Sequence, residues 1–160
     1  MKSLVRIGLA AFVGVVSFWS SSDAEARVLV GVRGGQYTDL GDSEVDEPFL
    51  GVELIAGITQ HVYFNPNVEY VFVEHGKLGT GNLDFHLDLP ITQAAHLWLG
   101  AGLAVLYTDP EGPPESDTEL GLNLLVGAGF HVGAVIPYAQ LKLLVVDDDE
   151  ELVWAIGVRF

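Results

Sequence analysis

The chain has 160 residues, no cysteine, and 22 acidic against 7 basic side chains, for a formal charge of −15. That length suits one domain, the acidic balance argues against nucleic acid as a partner, and no disulfide framework is available to support the fold. Stability has to come from sheet closure and burial.

Residues 1–26 read as a secretory signal peptide. Lys2 and Arg6 precede an apolar run from Ile7 to Phe18, and Ala24-Glu25-Ala26 forms a small-residue cleavage site, leaving 27–160 as the mature domain. The run is shorter than the roughly 20 residues a spanning helix needs, and no later stretch is both long enough and uncharged. If the mature chain is in a membrane, helices do not put it there.

From Arg27 onward the apolar period is 2 and not 3.6, which predicts strands. Eight are expected, at 28–38, 49–59, 62–74, 82–91, 96–108, 119–131, 137–147 and 152–160. In each, one parity is almost purely apolar: Val28, Val30 and Val32 in the first; Leu97, Leu99, Leu103 and Val105 in the fifth; Leu120, Leu122, Leu124 and Val126 in the sixth. The other parity mixes glycine with polar residues, as in Gly31, Arg33 and Gly35, or Asn82, Asp84, His86 and Asp88. Pro66 interrupts the third strand; proline cannot donate to a ladder, so a bulge or an unpaired amide is expected there. Connections after strands one, three, five and seven are polar and mostly long or acidic, and those after strands two, four and six are short. Long loops therefore gather at one end and short turns at the other.

Alternation by itself fits a soluble, lipocalin-like barrel with its apolar face inward as well as a membrane barrel with that face outward. Four features favour the second. Glycine on an exposed face weakens a strand for no return, whereas in an eight-stranded barrel it makes room in a narrow interior. Each alternating segment is close to the ~9–11 residues a tilted strand needs to cross a bilayer, where only closed sheets satisfy all backbone groups. The aromatics sort into two levels, Phe64, Phe130 and Phe160 near the short turns and Phe72, Tyr107 and Trp154 near the long loops, as interfacial girdles do. An even strand number returns the chain to its starting side.

With its ending LVWAIGVRF, the chain resembles the small eight-stranded outer-membrane β-barrel family that includes the OmpA transmembrane domain and OmpX, in a porin-like setting. The likeness implies an all-β, eight-stranded, antiparallel, up-and-down transmembrane barrel with both ends in the periplasm. Leu152, Trp154, Ile156, Val158 and Phe160 match the pattern that the family's assembly machinery reads. With no peptidoglycan-binding domain after Phe160, the OmpX-like arrangement is the better match. The implied role is a non-catalytic, structural, adhesive or protective barrel at the Gram-negative cell surface, surrounded by lipid and lipopolysaccharide; the alternative is a narrow channel for ions or small solutes.

A lumen formed by the polar parity brings Arg33, Lys142 and Arg159 among Glu53, Glu69, Asp84 and Asp88, with Arg33 and Glu53 at similar heights and expected to pair. Such pairs satisfy buried charge or, as the resemblance allows, gate an ion path. The acidic connections hold Asp39, Asp42, Glu44, Asp46 and Glu47, then Asp109, Glu111, Glu115 and Asp117, then Asp147 to Glu151. No EF-hand spacing occurs among them, so a solvated, mutually repulsive rim is expected, with weak divalent-cation bridging to lipopolysaccharide as the rival. His61, His96 and His131 recur every 35 positions, the length of one hairpin unit, which places them at separated points on the rim and argues against a metal site. Catalysis is not expected: after residue 26 the only serines are Ser43 and Ser116, both in acidic loops, and neither His75 nor His86 has a serine in its segment. No cofactor is implied.

Overall fold

The computed structural model describes residues 28–40, 46–73, 76–110, 116–147 and 149–160. The signal segment 1–26 and Asp42, Ser43, Glu44, His75, Glu111, Glu115 and Asp148 lie outside the described residues. Eight strands, β1 (Val28–Asp39), β2 (Asp46–Gly57), β3 (Val62–Val71), β4 (Lys77–Pro90), β5 (Ala95–Asp109), β6 (Asp117–Phe130), β7 (Ile136–Val146) and β8 (Asp149–Arg159), follow in chain order. Each pairs antiparallel with the next and β8 pairs with β1, so the sheet closes into a barrel.

The short turns are built by local chemistry. Ile58-Thr59-Gln60 and Ile91-Thr92-Gln93 make the same turn twice: the Thr59 hydroxyl accepts from the Val62 amide at 3.1 Å, and the Thr92 hydroxyl from the Ala95 amide at 2.9 Å. The third short turn places Gly133 at φ 64° between the bridged pair Val132 and Val135.

Two strand starts and one irregularity depart from the sequence reading in ways that matter to the lumen. β4 starts at Lys77, because Leu78 pairs with Val71 and Thr108 although Gly79, Thr80 and Gly81 carry little strand signal of their own. β8 starts at Asp149, so Asp149, Glu150 and Glu151 of the acidic run are strand, and Asp147, just past the end of β7, has φ 50°. Pro66 causes no bulge. Glu53↔Asn67 and Ala56↔Phe64 belong to one register, with the ladder skipping only the two positions between them. The Asn65 side-chain amide donates to the Leu54 carbonyl at 2.7 Å, supplying a donor beside the proline, which has none.

The apolar parity faces outward. Leu103, Leu122 and Ile156 are each more than half exposed, and Leu120 reaches 74%. Phe72, Tyr107 and Trp154 ring the long-loop end, Phe130 and Phe160 the short-turn end, all exposed, with half-buried Phe64 tilted against Phe85 at 5.1 Å between ring centroids. Inside, the long-loop half of the lumen is an apolar core of Tyr37, Phe49, Val71, Leu106, Leu144 and Val153, which the alternation did not reveal. The short-turn half is filled by Trp98, Leu125 and Tyr138.

Candidate functional site

Between these two fillings lies a belt of buried charge. Arg33, Glu53, Glu69, Asp84, Lys142 and Arg159 are each at most 4% exposed. Their pairing follows a rule set by glycine and the register. Arg33 on β1 and Glu69 on β3 both lie opposite Gly51 on β2, and Arg33 Nη2 reaches across it to Glu69 Oε1 at 3.0 Å. Arg159 on β8 and Glu53 on β2 both lie opposite Gly31 on β1, and Arg159 Nε donates to Glu53 Oε1 at 2.8 Å. A Cβ on Gly31 would come within 2.6 Å of that same Glu53 oxygen, and one on Gly51 within 2.9 Å of Glu69 Cγ.

The same arrangement recurs with neutral partners. Asn123 donates to Asp84 Oδ1 at 2.8 Å across Gly102, and Trp98 Nε1 donates to Gln140 Oε1 at 3.2 Å across Gly127. Glycine therefore lets side chains two strands apart meet over a strand that presents none.

The expected Arg33–Glu53 pair is present but long, at 3.8 Å; the shorter contacts are Arg33 with Glu69 and Glu53 with Arg159. Lys142 Nζ closes the belt on Glu69 Oε2 at 3.2 Å, where the Tyr37 hydroxyl also donates and the Thr80 hydroxyl does so at 3.0 Å. Among the described residues no cation reaches Asp84 at ion-pair distance; Asn67 and Asn123 amides hold it at 3.1 and 2.8 Å. Arg159 is further enclosed by the rings of Trp98 and Tyr138, with its guanidinium carbon 4.7 and 4.2 Å from their centroids. Tyr37, Thr80 and Trp98 were not legible as members, since a tyrosine, a threonine or a tryptophan at a strand position carries no sign of the carboxylate it will meet.

Asp88 stands apart from the belt. It sits half-buried near the short-turn mouth, where its Oδ2 is 3.5 Å from His96 Nδ1. The histidines are not separated around that rim, as their spacing had suggested: His61, His96 and His131 line one vestibule of about 320 Å³, and the His96 and His131 rings are 5.2 Å apart. A mouth only eight strands in circumference brings consecutive turns together. Among the described residues no three His, Asp or Glu side chains converge as a metal's ligand set.

At the opposite end the acids form the rim. Glu151 lies beyond Leu152, the last outward apolar residue of β8, and pairs in register with Asp39. Burial pushes its carboxyl above the ordinary range, and Glu47, Asp39 and Asp149 add to the push against the pull of Lys142. On β8, Leu152, Trp154 and Ile156 stand exposed on the outer wall with Val158 half-buried among them, and Phe160, just past the strand, is exposed as well.

No family model and no curated protein matches the chain. Among solved structures it is similar to Neisserial surface protein A, with a TM-score of 0.69 at 16% identity over 82% of this chain and 95% of that one. It is also similar to the N-terminal β-barrel domain of Pseudomonas aeruginosa OprF (TM-score 0.63, 15% identity, 85% and 98% covered). A third likeness is to Ail, the attachment invasion locus protein of Yersinia pestis (TM-score 0.61, 16% identity, 85% and 99% covered). At these identities the likeness is one of fold: the chain is built as a small eight-stranded outer-membrane barrel is built.

Proposed function

We propose that this chain is a non-catalytic barrel of the bacterial outer membrane whose acidic long-loop end faces the cell surface in a structural, adhesive or protective role. The observation that carries this is a filled, internally paired lumen inside a wall of exposed apolar side chains. In water that wall far exceeds the apolar patch an ordinary monomer leaves uncovered, whereas in lipid a closed sheet has no unsatisfied edge. Residues 1–26 then act as the export signal, the short turns lie in the periplasm, and the outward parity of β8 is what the assembly machinery reads. Lipid and lipopolysaccharide are the surrounding partners. The attachment and invasion named for the Yersinia protein suit the adhesive form of the role.

The rim carboxylates suit weak divalent-cation bridging to anionic lipid headgroups rather than one built ion site. A hydrolytic role is disfavoured by position: among the described residues, Ser116 stands at the long-loop end while His61, His86, His96 and His131 all lie in the short-turn half, which sets these serine and histidine side chains too far apart for a nucleophile and its base.

A narrow channel is the second reading, favoured by the vestibule at the short-turn mouth and a smaller cavity above it that reaches Arg159. Heat-modifiable gel migration of the protein refolded in vesicles tests the barrel. Planar-bilayer recording then separates the two roles: a paired lumen predicts no steady unit conductance, and open events that respond to Lys142→Ala replace this function with the channel.

A further inference from the structure

We propose that the short-turn mouth of the barrel opens into a bay that binds one short-chain aliphatic monocarboxylate, its carboxylate on Arg159 and His86 and its apolar body on the wall formed by β1 and β2. The reading above supplies only the compartment that feeds the bay, the periplasm. The site itself rests on the lining of the lumen.

The bay has two parts. The vestibule of about 320 Å³ and an inner cavity of about 120 Å³ share Tyr63, Asp88, His96 and His131, so the first leads into the second, which reaches Arg159. Buried Trp98 and Tyr138 pack on the Arg159 guanidinium and close the floor, which makes the bay a dead end and not a pore.

The inner cavity has two unlike faces. Leu29 on β1 pairs with Ile55 on β2 to give it an aliphatic wall, and Ile136 on β7, the register partner of Arg159, extends that wall. Facing it are His86 and Asp88 from β4 and His96 from β5. Two polar atoms on this second face are unused. His86 is 3% exposed, and its Nε2 has no hydrogen-bond partner among the described residues; the buried Nε2 of His96 has none either. Buried polar atoms left over in this way imply an occupant of the cavity. Water suits the polar face but finds no partner along Leu29, Ile55 and Ile136. A ligand with one polar and one aliphatic end satisfies both faces, and a space of about four waters at ~30 Å³ each limits it to a short chain.

The charges at the floor select the polar end. Arg159 gives Nε and Nη2 to Glu53 at 2.8 and 3.4 Å and still borders the cavity. A neutral imidazole can carry its proton on Nε2, so His86 and Arg159 together offer donors to an anion, and a guanidinium–carboxylate bond is the strong form of such a contact. Among the described residues Asp88 is the one carboxylate that lines either part of the bay, and its Oδ2 lies 3.5 Å from His96 Nδ1. Two positions nearer the short turn than His86, it opposes a second carboxylate on the same ligand.

The test is a titration of the full refolded barrel, labelled with nitrogen-15 in lipid nanodiscs, with isobutyrate. The Trp98 indole N–H reports on the bay, since its ring stacks on His86 at 5.9 Å, and the Trp154 indole on the outer wall reports partition into lipid. Isobutyrate is expected to shift the Trp98 signal saturably and to leave that of Trp154 in place; isobutyramide, isobutylamine and inorganic phosphate at the same concentrations give no saturable shift. His86→Phe, which keeps a stacked ring but removes the donor, should weaken binding about tenfold, and Leu29→Phe, which fills the cavity, should abolish it. No saturable shift in the wild type, equal binding of isobutyramide or of phosphate, tighter binding of isobutylamine, or wild-type affinity in both variants would each overturn the proposal. Failure to form a heat-modifiable barrel sinks the membrane reading itself, whereas a folded barrel whose Trp98 signal does not respond sinks only the bay.

Discussion

Glu69 is the carboxylate on which two buried cations depend. Arg33 reaches it at 3.0 Å and Lys142 at 3.2 Å, while the Tyr37 and Thr80 hydroxyls donate to it as well. Glu69→Gln keeps the shape and removes the charge. Lys142, 1% exposed, then has neutral acceptors alone among the described residues, the Tyr37 hydroxyl oxygen at 3.3 Å, Asn82 Oδ1 at 3.5 Å and the one amide oxygen left at position 69, and the carboxylate still near Arg33 is Glu53 at 3.8 Å. At 3.2 Å and an effective dielectric of about 20 the lost attraction to Lys142 is about 5 kcal/mol, and stranding one buried charge costs about 3–5 kcal/mol in proteins. A destabilisation of about 3–5 kcal/mol is therefore expected. Lys142→Met, by contrast, leaves Glu69 with Arg33 and both hydroxyls and should cost no more than about 1–2 kcal/mol. In the double variant Lys142 is no longer stranded, so its cost should fall short of the sum by about 2 kcal/mol. Urea unfolding in lipid vesicles, followed by heat-modifiable gel migration and tryptophan fluorescence, measures all three. Costs that simply add, or a Glu69→Gln variant as stable as Lys142→Met, would refute the shared-carboxylate account.

Four other outcomes can be checked on the same refolded protein. Leu103, 57% exposed at the middle of β5, should cost about 2–4 kcal/mol as Leu103→Arg, since an arginine there meets the bilayer midplane; folding like wild type would reverse the inside–outside assignment. Gly51→Ala should press on the Val68 carbonyl oxygen, 2.7 Å from the new Cβ, in any background and also displace the Arg33–Glu69 bridge above it, so its loss should shrink, without vanishing, when measured in a Glu69→Gln background. Asn65→Ala removes the donor to the Leu54 carbonyl and should cost about 1–3 kcal/mol, with faster hydrogen exchange confined to the β2–β3 pair around Pro66. Glu151 holds its proton to a higher pH in the folded than in the unfolded chain, so stability is gained as pH falls through that raised value and lost as pH rises; unfolding free energies against pH should show a shallower slope for Glu151→Gln.

Parity carried most of the fold. It placed Arg33, Glu53, Glu69, Asp84, Lys142 and Arg159 on one face, because a period of 2 survives whatever the register is. It did not say which charge meets which, since Arg33 finds Glu69 only after β2 has aligned Gly51 between them. It was also silent where both parities are apolar. Leu143 to Val146 reads as a continuous run, and only the closed sheet shows Leu144 and Val146 packed inward on Tyr37 and Phe49. The histidines were misplaced for a related reason: spacing along the chain gives the length of a hairpin but not the narrowness of the ring into which hairpins are rolled.

The lumen belt also bears on the order in which such a wall can be raised. β1 to β4 bring one buried cation, Arg33, and three buried carboxyl groups, Glu53, Glu69 and Asp84. They carry a formal excess of two negative charges until β7 and β8 arrive with Lys142 and Arg159. A half-built sheet is thus electrically incomplete and costly to bury in hydrocarbon, and the balancing charges come with the strands that complete the cylinder. Entry into the membrane and closure are in this way tied to a single event, and the bookkeeping is done by side chains that never see the lipid.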